Sequence, residues 1–314
     1  MPLSKSEVLL MYSKINAAVM GSINMDFILN AERIPETGEN LLGTSYGYAN
    51  GGKGANQATG LARLGAKTKM IGKVADDTNG KRLLENLKNN NIDVSGVATD
   101  GTQTGLAAIL IDGNGNNRII VYEGANAEID ADEAADCITD DIDLLLVQFE
   151  TREDVVVKCV NKAVEKGITT VIDCGPAKAF ELEKMQGVTI ISPNESETKA
   201  LTGIFPEDED SIRNASKILM ERSKAEYVVL KLGSRGCSVW DGKTIKIMPS
   251  YKTKVVDTTA AGDCFTAAMA LEYIKSEDIY SACDMGNKAG SISVSRMGAD
   301  SSMPTLNDIL NFNA

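Results

Sequence analysis

Histidine is missing from all 314 residues. That absence excludes Ser-His-Asp and Cys-His nucleophile systems, H-E-x-x-H zinc sites and histidine general bases. Acid–base work must fall to Asp, Glu, Lys, Tyr or Cys. The six cysteines (Cys137, Cys159, Cys174, Cys237, Cys264, Cys283) form no C-x-x-C pair, so they read as buried thiols rather than bridges or metal ligands. No cluster of Lys and Arg stands out, and the net charge of −12 argues against a nucleic-acid partner. No apolar run approaches the length of a bilayer span, and the N-terminus has no charged region followed by a long apolar core. The expectation is a soluble, cytoplasmic chain with neither membrane nor nucleic-acid partner. It shows no internal repeat and no low-complexity tract.

What is present is an ample core, 43% hydrophobic, enough for one large α/β domain or two smaller ones. Residues 1–14 read as a loosely attached extension. The first strand runs over Ala17–Ser22 and leads to Asn24 and Asp26, polar residues placed where open α/β sheets hold ligands; an Asx turn would account for them equally. Short strands and turns from Phe27 to Tyr48 form a small sheet outside the main body, which the hairpin over Leu106–Val121, turning at Asp112-Gly113-Asn114-Gly115, completes. From Ile142 onward strands and helices alternate, which implies parallel strands with helices on both faces. The last two helices are read from Asp263 to about Lys275 and from Glu277 to Met297.

Two glycine-bearing stretches stand out. Gly47, Gly52 and Lys53 nearly fit the phosphate-loop pattern, but Gly54 occupies the place of the magnesium-binding hydroxyl and excludes it. The Gly51–Gln57 run reads instead as a place where backbone amides and Lys53 approach a polyhydroxylated ligand, a flexible turn being the alternative. In Val255–Ala268 an apolar pair feeds small residues and then a helical spacing, so Ala260, Ala261 and Gly262 form a helix start. Such a start offers unpaired N–H groups and positive dipole charge to a phosphate. Asp263 beside an anion site makes sense as a base accepting the proton of an attacking hydroxyl; a helix cap is the other reading of the same residue.

Six blocks, Gly21–Asp26, Gly51–Ala58, Gly124–Ala127, Pro193–Glu197, Leu232–Gly236 and Asp257–Asp263, together resemble the ribokinase-like (PfkB) carbohydrate kinase family, in the family's order and over the chain from about Ile15. The resemblance implies a kinase domain over 15–314 with a central, mostly parallel sheet flanked by helices and a small β-sheet lid from about 27–48 and 104–122. It implies ATP-dependent phosphorylation of D-ribose at O5. The alternatives are another acceptor of the same family (deoxyribose, fructose or adenosine) and a non-catalytic sugar-binding regulator. On this resemblance Asp263 is the base and Ala260, Ala261 and Gly262 form the anion hole. Asn24, Asp26, Gly52, Lys53, Asn56 and Glu150 bind the sugar, and Asn194, Lys231, Gly233, Ser234, Gly236 and Asn287 the nucleotide. Glu197 helps order water around Mg2+, and Asp257, Thr259, Ser293, Arg296, Gly298 and Ser302 surround an activating K+. The lids of two subunits pair in a homodimer. Two departures from the family pattern, Cys264 where Thr is usual and Asp173-Cys174-Gly175-Pro176-Ala177 in place of Asn-Pro-Ala-Pro-Ala, are expected to leave the chemistry untouched and to bear on fine substrate preference.

Overall fold

The computed structural model describes residues 5–185 and 187–312. In chain order the strands are β1 (Asn16–Met20), β2 (Asn24–Ala31), β3 (Gly43–Gly51), β4 (Lys67–Ala75), β5 (Asp93–Gly101), β6 (Gly105–Ile111), β7 (Asn117–Tyr122), β8 (Leu144–Gln148), β9 (Thr169–Asp173), β10 (Ile190–Ser192), β11 (Tyr227–Lys231), β12 (Cys237–Trp240) and β13 (Ile245–Met248). The helices are α1 (Lys5–Tyr12), α2 (Lys53–Arg63), α3 (Thr78–Asn89), α4 (Ala131–Asp136), α5 (Glu153–Glu165), α6 (Glu195–Thr202), α7 (Glu209–Ser223), α8 (Ala261–Ser276), α9 (Ile279–Ser293) and α10 (Leu306–Leu310).

Nine strands form the main sheet in the order β13-β12-β11-β10-β9-β8-β1-β4-β5. It is parallel except for β12 and β13, which turn back antiparallel at one end. Both faces are covered, as the period of two in each strand requires. Ala17 and Val19 of β1 belong to one buried cluster with α2, α8 and α9, while Ala18 and Met20 belong to the cluster with α5 and α7 on the other face. Leu144 and Leu146 of β8 are divided from Leu145 and Val147 in the same way. Strand order reverses between β8 and β1, and at such a switch point the carboxyl ends of the strands open a crevice for ligands.

The chain leaves β1 through Gly21–Ile23 and enters a second sheet, ordered β3-β2-β6-β7. β2 pairs parallel with β6; the other two pairings are antiparallel. Every residue of the edge strand β7 is exposed.

Several elements differ from the sequence reading: the short helices α4 and α10 went unread, and α9 spans Ile279–Ser293 rather than Glu277 to Met297. The strand β5 went unread because it is an edge strand with a single buried residue, Val97, so its alternation is faint. Residues 5–14 of the supposed loose extension are joined to the body: Tyr12 of α1 is 1% exposed and its hydroxyl donates to Glu272 of α8, with Lys275 Nζ 3.3 Å away. Tyr12 is an aromatic anchor for this helix, while Leu9, Leu10 and Met11 stay exposed. Residues 1–4 lie outside the described residues. No described helix is long and apolar enough to cross a membrane.

Candidate active site

Four elements bring their ends together at the switch point: β1, β9, α2 and α8. The turn before α8 is held open by Ala260, whose φ of 58° lies in the left-handed region that residues with a Cβ seldom occupy. A strained residue of this kind costs of the order of 1–3 kcal/mol and persists where function requires it. Its consequence is an unpaired start. Cys264 N bonds back to Ala260 O at 2.9 Å, while among the described residues the amides of Gly262 and Asp263 have no backbone partner. These free N–H groups are the helix's positive end.

Asp263 is not a cap, since Ala260 is the N-cap residue and makes no side-chain bond. It lies on the third residue of α8, 4% exposed, and is gripped by α2. Gln57 Nε2 donates to its Oδ1 at 3.0 Å, Asn56 Nδ2 to its Oδ2 at 3.0 Å, and Lys53 Nζ stands 3.5 Å from Oδ1. Lys53 reaches this place because Gly52 turns the chain with φ of 89°, where a Cβ would come within 2.7 Å of the backbone of Ser22 and Asn24. Burial alone would lower the Lys53 pKa, but Asp173, Asp263, Glu197 and Glu150 raise it well above its ordinary value. It is a fixed cation.

On one flank lie the predicted sugar residues. Glu150 accepts from the Ser22 hydroxyl and, at 3.0 Å, from the Lys53 amide. Asn24 Oδ1 accepts from Asn126 Nδ2 at 2.8 Å, which leaves the Asn24 amide hydrogens for a ligand. Asp26 at the start of β2 is pushed up to about 7, by burial first and then by the negative charges of Glu150 and Asp263. On the other flank a cleft of about 490 Å³ is lined by Lys231, Gly233, Ser234, Gly236, Asn287 and, from the turn, Thr258, Ala261 and Gly262. Asn194 and Glu197 share a neighbouring cleft with Lys53, Gly262 and Asp263. They form a capping box at the start of α6, in which Asn194 N donates to Glu197 Oε2 at 2.7 Å and Asn194 Nδ2 to Oε1 at 2.8 Å.

The predicted cation residues come together beside the anion turn. Asp257 Oδ1 accepts from Thr259 N at 2.9 Å and from its hydroxyl at 2.7 Å, and Oδ2 accepts from Gly298 N at 2.8 Å. The Ser293 and Ser302 hydroxyls lie 2.9 Å apart. Arg296 sends its guanidinium to Asp308, 3.1 Å away, so it offers this place only its backbone.

One expectation is corrected. Asp173 was expected to stand outside the chemistry, yet its carboxylate lies in the site, fully buried, 2.8 Å from Lys231 Nζ and 3.8 Å from Lys53 Nζ. Gln57, Gln148 and Asn126 were also overlooked. The rule that singled out Asn24 and Asp26, polar residues at the carboxyl end of a parallel strand, applies equally to Asp173 at the end of β9. Cys264 faces the other way, packed against Met303 and next to Ser293 and Ser302.

The arrangement is a carboxylate at an amide-lined turn with a polar pocket on one side and an open cleft on the other. The sequence pattern of the pfkB family carbohydrate kinases matches residues 14–306. The chain is 35% identical over 305 residues to the ribokinase of Bacillus subtilis, covering 94% of this chain and 98% of that one. It is 36% identical over 298 residues to the ribokinase of Staphylococcus aureus, covering 93% and 97%. It also superposes on the structure of Arabidopsis thaliana ribokinase complexed with ribose and ATP with a TM-score of 0.86 at 28% identity, covering 95% and 99%. On this similarity of sequence and architecture the chain belongs to the pfkB family of carbohydrate kinases.

Proposed function

We infer that the chain transfers the γ-phosphoryl group of ATP to O5 of D-ribose, giving ribose 5-phosphate and ADP, and that Asp263 is the base. The observation that carries this reading is the burial of the Asp263 carboxylate beside the unpaired Gly262 and Asp263 amides, between the two flanks. The substrate follows the relatives named ribokinase.

The chemistry follows from the groups. A ribose seated against Asn24, Asp26, Glu150 and Asn56 presents O5 to Asp263. As the O5–phosphorus bond forms and the bond from phosphorus to the β-phosphate oxygen breaks, the O5 proton passes to Asp263. The charge that builds on the phosphoryl oxygens meets the Gly262 and Asp263 amides, donors already in place and needing no reorganisation. The Lys53 ammonium offsets the repulsion between base and phosphoryl group. Ionised Asp26 accepts bonds from neighbouring ribose hydroxyls through both oxygens, whereas the protonated form accepts fewer and more weakly, which ties acceptor binding to pH near neutrality.

Two ions fit the residues present. Among the described residues no three metal-binding side chains cluster, so a divalent ion has no protein cage here. Glu197, buried and facing the phosphate cleft, suits the water shell of a Mg2+ ion carried in by the nucleotide, and Mg2+ retains most of its waters. The Asp257 carboxylate with the carbonyls around Thr259, Ser293, Arg296, Gly298 and Ser302 is a hard oxygen set suited to K+, which would brace the anion turn. The fully exposed edge strand β7, whose Ile120 and Tyr122 share one face of the small sheet with Tyr46 and Tyr48 of β3, supports a homodimer through that sheet acting as a lid. ATP and six free cysteines favour the cytoplasm as the place of work.

ADP formation with ribose, deoxyribose, fructose and adenosine, each with and without K+, tests the reading. Ribose gives the highest kcat/KM, and K+ raises it. A nucleoside preferred to ribose would overturn the acceptor, and turnover indifferent to every acceptor would overturn the kinase reading.

A further inference from the structure

Asp173 carries more contacts than a structural ion pair needs. Its Oδ2 takes Lys231 Nζ at 2.8 Å, Gln57 Nε2 at 3.1 Å and the Thr266 hydroxyl at 3.1 Å. Its Oδ1 takes Gly175 N at 3.0 Å and faces Lys53 Nζ at 3.8 Å. A buried carboxylate so surrounded by donors stays ionised.

Its partners are the base's partners. The two hydrogens of Gln57 Nε2 are divided between Asp173 Oδ2 at 3.1 Å and Asp263 Oδ1 at 3.0 Å, and Gln57 Oε1 accepts from Gln148 Nε2 at 2.6 Å. Turning the amide over would aim its oxygen at two carboxylates, so the orientation is locked. Lys53 bridges the same two carboxylates. Lys231 Nζ lies 3.8 Å from where a Cβ on Gly262 would be, under the anion turn. One carboxylate therefore sets a cation on each side of Asp263.

Gly175, two residues on, makes the Lys53 half of this possible. A Cβ there would stand 2.4 Å from Lys53 Cε and 2.7 Å from both its Nζ and Glu197 Oε1, so any side chain forces the end of Lys53 to shift from this place. Asp173 supplies the charge that draws Lys53 in, and Gly175 supplies the space.

We propose that Asp173 is a positioning residue for phosphoryl transfer, holding Lys53, Lys231 and Gln57 about the base, with Gly175 as the gap that admits Lys53. The proposal rests on the reading of Asp263 as the base. With Asp173 neutral, both ammonium groups are free to collapse onto Asp263 and Glu197, occupying the base and moving positive charge away from the phosphoryl position. A donor placed beforehand is worth about two to three decades of rate, of which displacement of its neighbours costs a part, and this loss appears in kcat rather than in KM.

The test is steady-state kinetics and thermal unfolding of Asp173→Asn, Asp173→Asn with Lys231→Met, and Gly175→Ala, each compared with the wild type on whichever acceptor the wild type turns over. A wild type that prefers another sugar thus overturns the substrate reading and leaves this test intact. Asp173→Asn lowers kcat about 10- to 100-fold with both KM values within threefold. Adding Lys231→Met removes the stranded cation and recovers the melting temperature, but not kcat. Gly175→Ala, with Asp173 untouched, lowers kcat at least tenfold by displacing Lys53. Wild-type kcat in Asp173→Asn, or recovery of kcat together with melting temperature in the double variant, overturns the proposal in favour of a purely structural ion pair. Should Asp173→Asn fail to fold, Gly175→Ala decides alone, and wild-type kcat there overturns it.

Discussion

The two sheets of this chain are built to different ends. The nine-stranded sheet has apolar clusters on both faces, and the polar groups at its switch point are paired with one another: Asp263 with Asn56 and Gln57, Asp173 with Lys231, Glu197 with Asn194. The four-stranded sheet ends in a strand exposed along its whole length and turns Tyr46, Ile120 and Tyr122 outward. Groups that must meet a transition state at fixed distances sit on packed elements, because preorganisation is what makes them effective. The proposed closure over the acceptor falls to this sheet, whose edge strand is fully exposed, the kind of element that can move. Asp26 joins the two, lying on β2 while feeling the charges of Glu150 and Asp263.

The contrast can be broken in order of expected effect. Gly262→Val comes first. A Cβ at Gly262 would meet only Lys231 Nζ, at 3.8 Å, so folding is spared while the side chain fills the phosphoryl position; kcat/KM for ATP falls more than about a hundredfold with an unchanged melting temperature. Gly54→Ala does the reverse, since its Cβ would lie 2.7 Å from the backbone of Gly21, and unfolding at lower temperature reads it out.

Next is the small sheet. Ile120→Asp puts charge on the outward apolar face, giving a monomer by sedimentation and an acceptor KM raised about tenfold, while kcat changes less.

Asp26 links the two regions through pH. Its folded pKa of about 7 lies above the ordinary 3.8, so the folded protein holds the extra proton between those values and stability from this group falls as pH rises through that window. The ionised form is the stronger acceptor of hydroxyl bonds, so on the proposed role of Asp26 the KM for ribose drops several-fold from pH 6 to pH 8. Asp26→Asn flattens that profile, weakens ribose, and raises the melting temperature at pH 8 by a few degrees. Smallest is Tyr12→Phe, which removes the hydroxyl that tethers α1 to Glu272; it lowers stability by about 1–2 kcal/mol and leaves kcat and KM unchanged.

Sequence reasoning reached far into the main sheet and less far into the ionic centre. The alternation from Ile142 onward was legible because strands such as β9 and β12 are buried on both faces and bounded by turns. The α8 start was legible because small residues followed by a helical spacing admit few other structures. Asp173 was not, since a carboxylate in a strand-end run of small residues carries no local sign of the two lysines, 53 and 231, that converge on it from distant elements. Gln57 had the same fault: it lay inside a quoted block, but its bridging of two carboxylates exists only once α2, β9 and α8 are packed. Tyr12 was lost because its partner, Glu272, is 260 residues away.

The most direct test of the account is Asp263→Asn, assayed for transfer of the γ-phosphoryl group of ATP to O5 of ribose, with calorimetric binding of ribose and of a non-hydrolysable ATP analogue alongside. The account predicts turnover reduced at least about a thousandfold with both affinities within threefold of wild type. A variant that keeps a tenth of the wild-type rate would contradict it.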